Sequence, residues 1–162
     1  MKLHRIDCQL KIFDSIDELT KTDAMLINLA RMQLDKPHAP YSKFLVVSCA
    51  ILNNGSVVYG VNIENNSYGA TICAERTLIG NIITNYKNEK IDTIALVYHH
   101  IDGLNNTPIT PCGICRQSFM ELIKIQKQDI RLISTGISGN IWIFDKISKL
   151  LPYSFDHPIN LD

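Results

Sequence analysis

Apolar and polar residues alternate near the start of the chain. Ile6, Cys8, Leu10 and Ile12 are separated by single polar residues, and a period of two is typical of a strand that buries one face. We therefore predict an N-terminal strand within residues 1–14, with Cys8 as a small buried hydrophobic residue on its inner face.

Three later segments repeat apolar residues at helical spacing. The first begins near Asp14, where acidic and capping residues precede an apolar stripe, and it ends before Pro37. The second runs from Cys73 to about Tyr86, and the third runs from Cys112 to about Ile125. Two cysteines are thus predicted at the beginnings of helices.

Apolar runs between these helices predict five further strands. Asn53-Asn54-Gly55 is a hairpin signal, because asparagine and glycine tolerate positive φ. The predicted strands are Phe44–Leu52, Val57–Ile63, Ile91–Tyr98, Ile130–Ile133 and Ile141–Phe144. Since strands and helices are interspersed, we predict an α/β fold with a mixed sheet of about five strands, the N-terminal strand being extra. A length of 162 residues fits one domain, 1–162.

The charge balance limits the partners that the chain can have. Lysine and arginine number 16, as do aspartate and glutamate, and this neutrality weighs against a nucleic-acid polymer, which basic side chains bind. The N-terminus has no signal-peptide core, and the longest apolar run, residues 44–52, is too short to span a membrane. We expect no membrane partner and a cytoplasmic location.

Three of the five cysteines form a pattern with catalytic meaning. Cys73-x-Glu75 is followed far downstream by Pro111-Cys112-x-x-Cys115. Three thiolates can hold Zn²⁺ and leave its fourth position to a water, whose pKa zinc lowers from about 15.7 to about 7. Glu75 is close enough in sequence to act as the proton shuttle. A closed structural zinc site would need a fourth ligand, and none is evident in the sequence.

Two arginines flank the cysteine segments. Three thiolates leave a zinc site with a formal charge of minus one, which works against deprotonation of the bound water. Our hypothesis is that Arg76 or Arg116 donates hydrogen bonds to ligand sulfurs and restores part of that acidity.

The chain resembles the homotetrameric cytidine deaminases, zinc-dependent enzymes of pyrimidine salvage that act on free nucleosides. The resemblance covers about residues 26–155. It rests on Ala39–Phe44, Asn62–Asn65, Cys73–Thr77, Pro111–Gln117 and Leu150–Phe155. It implies a three-layer α/β/α fold with helices on both faces of the sheet. It also implies one Zn²⁺ per subunit and hydrolysis of cytidine and 2′-deoxycytidine to uridine and 2′-deoxyuridine, with release of ammonia.

The resemblance also assigns residues to the nucleoside. Asn62 and Glu64 would bind the ribose 3′-hydroxyl, as suits an amide and a carboxylate, and Tyr41 would lie near the sugar. Phe44 would pack on the pyrimidine, and Ala74 would offer its backbone groups to the base.

The same resemblance implies that neighbouring subunits complete each site. Phe155 would come from one subunit and cover the ring bound in another, and Tyr68 would also act across an interface. The expected assembly is therefore a homotetramer.

Departures from the family pattern keep alternatives open. Val47 replaces a glycine, Ser48 replaces a small apolar residue, and Asn66 stands where alanine is usual. One alternative is a deaminase of another aminopyrimidine nucleoside, such as a nucleoside antibiotic. Another is a non-catalytic, zinc-stabilised binding module. Nucleic-acid and deoxycytidylate deaminases usually carry histidine at the position of Cys73, which disfavours them.

Overall fold

A single six-stranded sheet organises the computed structural model, which describes residues 1–156. The strands are β1 (Lys11–Phe13), β2 (Phe44–Leu52), β3 (Val57–Val61), β4 (Ile91–His100), β5 (Arg131–Gly136) and β6 (Ile141–Phe144). The helices are α1 (Lys21–Arg31), α2 (Ala74–Asn85) and α3 (Gly113–Gln126). Short 3₁₀ turns lie at Ile16–Glu18, Tyr68–Ala70 and Ile147–Leu150.

The sheet is mixed, and its order is β1-β6-β5-β4-β2-β3. The chain runs antiparallel from β2 into β3 through the predicted hairpin, where Gly55 adopts a φ of 85°. Strand β4 pairs antiparallel with β2 and parallel with β5. The prediction of a mixed sheet with an extra N-terminal strand is confirmed.

Helices cover both faces of this sheet, so the three-layer α/β/α prediction is confirmed. On one face, α1 buries Leu26, Ile27 and Ala30 against β2, β4 and β5. On the other, α2 and α3 bury Leu78 and Phe119 against the opposite side chains of the same strands. None of the helices in residues 1–156 combines the length and apolar character needed to cross a membrane.

The prediction for the N-terminus was wrong in extent. Only Lys11–Phe13 pairs with the sheet, because its neighbour β6 is itself just four residues long. Residues before Lys11 have no strand partner within the described chain, so the alternating pattern is not buried. Cys8 is exposed instead of lying in a core.

The first helix is shorter than the apolar pattern indicates. Ser15 and Glu18 form a capping box, but it starts only a 3₁₀ turn. Helix α1 then begins after Thr20, whose hydroxyl accepts from the Asp23 backbone N–H. It ends at Arg31, well before Pro37.

The departures Val47 and Ser48 lie inside β2 on opposite faces. Val47 is fully buried in the core beneath α1. Its side chain fills space that a glycine would have left empty. Ser48 is also fully buried, and among the described residues its hydroxyl has no hydrogen-bond partner. Asn66 is exposed.

Helix α2 lies directly on β3 at Gly60. A Cβ atom at this position would overlap the Leu78 backbone nitrogen and the Ala74 carbonyl oxygen. The first turn of α2 therefore reaches its place only because residue 60 has no side chain. Gly80, in the middle of the same helix, faces open space.

We predict that Gly60→Ala lowers the free energy of unfolding by at least about 2 kcal/mol, because backbone atoms cannot yield to the added methyl group. It should also reduce bound zinc, since the first turn of α2 must move. The matched control, Gly80→Ala, should raise stability by about 0.5–1 kcal/mol through helix propensity. Urea denaturation and metal analysis measure both, and equal behaviour of the two variants would contradict the close approach.

Candidate metal centre and active site

Two helix N-termini converge on three cysteines. Cys73 is the N-cap of α2, and Cys112 is the N-cap of α3. Cys115 lies in the first turn of α3 and is fully buried. Neither N-cap side chain makes a capping hydrogen bond to its helix, so both sulfurs remain available as ligands. The positive end of each helix dipole favours their anionic form.

The three sulfurs have the spacing of a metal site. All lie within 4.8 Å of one another, and the Cys112 and Cys115 sulfurs are 3.4 Å apart. Tetrahedral zinc with bonds of about 2.3 Å requires sulfurs about 3.8 Å apart, so this group fits the ion. Within residues 1–156, no fourth histidine, cysteine or carboxylate joins the cluster. The arrangement thus leaves one tetrahedral position for a non-protein ligand.

The thiols differ in their tendency to ionise. Burial raises the pKa of Cys73. Burial and the nearby Glu75 carboxylate raise the pKa of Cys115. At Cys112 partial burial acts in the same direction, but the backbone N–H groups of Cys115 and Ile114 stabilise the thiolate, and the pKa is lowered. A bound cation would be needed to hold all three sulfurs as thiolates.

Glu75 is a buried carboxyl beside this cluster. It lies in the first turn of α2 and is only 6% exposed. Burial raises its pKa, and hydrogen bonding from its own backbone N–H and from the Cys115 thiol offsets part of that rise. Such an environment suits a group that must take up and release a proton near neutral pH.

An aromatic platform lies at the start of β2. The Phe44 ring stacks on Tyr98 with a centroid separation of 4.9 Å and an interplanar angle of 17°, and it contacts His100 from the side. Phe44 is held on one face, while it remains only partly buried. Ala74 is fully buried where α2 begins.

Asn62, the residue directly after β3, is bonded to the strand that carries this platform. Its Oδ1 accepts from the Val46 backbone N–H at 2.8 Å, and its Nδ2 donates to the Phe44 carbonyl oxygen at 2.8 Å. The amide thus replaces a missing strand partner for β2. One Nδ2 hydrogen is not used in these two bonds.

Glu64 lies in a small open pocket two residues beyond Asn62 in the chain. Its carboxylate accepts from the Tyr41 and Ser42 backbone N–H groups at 2.9 and 3.2 Å, and from the Ser42 hydroxyl. Slight burial tends to raise the pKa of Glu64, but these donors outweigh it and lower the pKa. The pocket has a volume of about 240 Å³ and is lined by Tyr41, Ser42, Glu64, Tyr68 and Thr71.

The structure brings the three clustered cysteines together with Glu75, and Tyr41 and Tyr68 together with Glu64, and it adds new residues. Tyr41 and Tyr68 meet edge to face at 6.4 Å, on the wall of the Glu64 pocket. Ser42 and Thr71 were not singled out from the sequence, although Ser42 adjoins Tyr41 and Thr71 lies two residues before Cys73. The sequence pointed to them only through their positions within Tyr41–Lys43 and Thr71–Cys73. A hydroxyl side chain alone does not distinguish a binding residue from any other serine or threonine.

Neither arginine makes the hypothesised hydrogen bond to a sulfur within residues 1–156. Arg116 donates to the Pro111 and Leu150 carbonyl oxygens, at 2.7 and 3.0 Å, and to the Thr110 hydroxyl at 3.0 Å. It therefore braces the turn before Cys112 instead of the sulfurs. Arg76 is exposed and makes no hydrogen bond to a thiol in the part of the chain described.

Phe155 does not pack on its own chain. The side chain is 81% exposed, and Tyr68 is 78% exposed. The Phe155 backbone pairs with Gln117 of α3.

Comparison with known proteins places this site in a family. The family model described as the cytidine and deoxycytidylate deaminase zinc-binding region matches residues 20–130, more than half of the chain. That range contains Glu75 and all three clustered cysteines.

The chain belongs to the cytidine and deoxycytidylate deaminase family.

Relatives in sequence agree with this assignment. A cytidine deaminase of Halalkalibacterium halodurans is 35% identical over 131 residues, covering 81% of this chain and 92% of that protein. A cytidine deaminase of Mycoplasma pneumoniae is 43% identical over 84 residues, covering 52% of this chain and 59% of that protein. The zinc prediction is confirmed at the level of the family, since the matched region is zinc-binding and holds the thiol cluster.

Solved structures of cytidine deaminases share the fold. The enzyme of Burkholderia pseudomallei superimposes with a TM-score of 0.68 at 33% identity, covering 85% of this chain and all of that one. The enzyme of Mycobacterium tuberculosis gives a TM-score of 0.60 at 27% identity, covering 85% of this chain and 99% of that one.

We predict that Cys112→Ser abolishes stable zinc binding, because the cluster has no spare ligand to replace the lost thiolate. Cys8→Ser is the matched control, since this thiol is exposed and lies outside the cluster. Metal analysis after dialysis should find about one zinc per wild-type or Cys8→Ser chain and close to none in Cys112→Ser. Full zinc content in Cys112→Ser would refute the assignment of the ligands.

Proposed function

We propose that the protein hydrolyses cytidine and 2′-deoxycytidine to uridine and 2′-deoxyuridine, releasing ammonia, in pyrimidine salvage. The observation that carries this proposal is the cluster of Cys73, Cys112 and Cys115 beside the buried carboxyl of Glu75. Family membership and relatives named cytidine deaminases support the same reaction.

Glu75 moves the protons in the proposed reaction. Cys73, Cys112 and Cys115 would hold Zn²⁺, which would supply an activated water as the source of hydroxide. Glu75 accepts the proton of that water and passes it to the pyrimidine N3 as the new C4–O bond forms. It then transfers the hydroxyl proton to the exocyclic amine, and ammonia leaves as the C4–N bond breaks. Its buried, proton-holding environment suits both directions of transfer.

The base is proposed to lie on the ring of Phe44. Tyr98 holds the other face of that ring, so the platform is rigid before the substrate arrives. Stacking of the pyrimidine there would place C4 toward the metal, and the Ala74 backbone at the start of α2 would bond the base edge.

The ribose is proposed to lie in the Glu64 pocket. Asn62 has one unused N–H, and Glu64 retains lone pairs after accepting from Tyr41 and Ser42. Both can bond the 3′-hydroxyl, and Tyr41 lines the same pocket. This subsite favours nucleosides over free cytosine.

A homotetramer is proposed as the active assembly, with Phe155 and Tyr68 acting across subunit boundaries. Their exposure supports this, because large aromatic side chains held in solvent are typical of interfaces. Cytoplasmic location is proposed because all five cysteines are free thiols, which a reducing compartment preserves. We also propose one domain over residues 1–162, of which 157–162 lie outside the described residues.

Glu75→Gln should lower kcat for cytidine by about 10²–10⁴-fold, because the amide cannot shuttle protons. Zinc content should stay near one per chain, since Glu75 is not a ligand. Ammonia release from cytidine, deoxycytidine, cytosine and deoxycytidylate measures the effect and the substrate range together. Turnover of none of the four by zinc-loaded wild-type protein would overturn the proposed function. A preference for deoxycytidylate would change the proposed substrate from the nucleoside to the nucleotide.

Arg76→Ala tests the remaining arginine hypothesis. We propose that Arg76 donates hydrogen bonds to the ligand sulfurs, so its loss should reduce zinc retention or turnover several-fold. The control is Arg5→Ala, because Arg5 is exposed and lies on the N-terminal segment. Identical zinc content and rate in Arg76→Ala and Arg5→Ala would end this hypothesis.

A further inference from the structure

The backbone of Phe155 is fixed by one side chain. Gln117 Nε2 donates to the Phe155 carbonyl oxygen at 2.9 Å, and the Phe155 N–H donates to Gln117 Oε1 at 3.1 Å. The amide therefore satisfies both backbone groups of Phe155, as a neighbouring strand would. Meanwhile the ring itself is 81% exposed.

Residues 151–156, which we call the C-terminal strap, are held to the protein at further points. Arg116 bonds the carbonyl just before the strap, at Leu150. Lys124 pairs with Asp156 at 2.9 Å, but both groups are exposed, so this contact contributes little. Tyr153 has a φ of 59°, a left-handed conformation that is strained for a non-glycine residue.

The geometry of the strap has an energetic meaning. An exposed aromatic side chain on a loose tail loses conformational entropy when it docks, and this loss weakens binding. Gln117 already fixes the strap in the folded subunit, so this conformational entropy is lost during folding and not during docking. A strained backbone at Tyr153 persists only where surrounding contacts hold it in place.

Gln117 also ties the strap to the metal centre. It lies two residues after Cys115 on α3, and Cys112 caps the same helix. The helix that presents two zinc ligands at its start therefore also carries the anchor of Phe155.

We propose that Gln117 is a positioning residue that holds Phe155 ready to cover the substrate bound in a neighbouring subunit. This inference rests on the proposed function, in which Phe155 contributes to that neighbouring site. Gln117 acts through Phe155 and touches no reacting atom. Its loss should weaken substrate binding and leave the chemical step unchanged.

Steady-state kinetics on the zinc-loaded protein test this proposal. Gln117→Leu removes both hydrogen bonds and should raise KM for cytidine about tenfold, with kcat within about twofold of wild type. Gln117→Glu keeps the acceptor and loses the donor, so its KM should be intermediate. In a Phe155→Ala background, Gln117→Leu should cause no further rise, because the two residues act as one unit. Lys124→Met, which breaks only the exposed ion pair, is the control and should leave KM unchanged.

Hydrogen exchange of residues 150–156, followed by mass spectrometry, gives a readout that does not depend on activity. Exchange should quicken in Gln117→Leu and stay as in wild type in Lys124→Met. Unchanged exchange in Gln117→Leu overturns the anchoring role whatever the activity. A KM rise that persists in the Phe155→Ala background shows that Gln117 acts by another route and also overturns it. Failure of the wild-type protein to turn over cytidine instead overturns the proposed function.

Discussion

The convergence of two helix N-termini on three sulfurs is the constraint on which the rest of the structure depends. Three thiolates within 4.8 Å repel one another, and helix dipoles alone offset only part of that repulsion. A bound cation would therefore stabilise the thiolate form of the cluster. The sheet positions α2, whose N-cap is Cys73. Helix α2 can pack this closely on β3 because Gly60 has no side chain.

The remainder of the candidate site is built from residues that have a structural task beside the binding task proposed for them. Asn62 closes the edge of β2 and keeps one N–H that these bonds do not use. Glu64 orders the Tyr41–Ser42 turn with the same carboxylate that faces the pocket. Such sharing gives rigidity, because each binding group is already fixed by the backbone it supports.

Sequence reasoning predicted the parts that local pattern determines. Strand β2 was predicted at its observed bounds, and the cysteine spacing located the metal centre without any structure. It failed where tertiary partners decide. Cys8 lies on an alternating segment, but no second layer covers that segment. Arg116 follows Cys115 directly in the sequence, yet its guanidinium donates hydrogen bonds to three oxygen atoms elsewhere. One of them, the Leu150 carbonyl oxygen, is far away along the chain. The periodicity of apolar residues carries no information about such competition between hydrogen-bond acceptors.

The polarity of the hydrogen bonds around Asn62 and Glu64 acts as a filter on the proposed substrate. Asn62 has an N–H that its bonds to Val46 and Phe44 leave unused, whereas the Glu64 carboxylate can only accept. A hydroxyl group satisfies both at once, since it accepts one bond and donates another. A 3′-phosphodiester has no hydrogen to donate and brings negative charge against a carboxylate. In the proposed binding mode, the same pair therefore disfavours an internal nucleotide of a nucleic-acid strand.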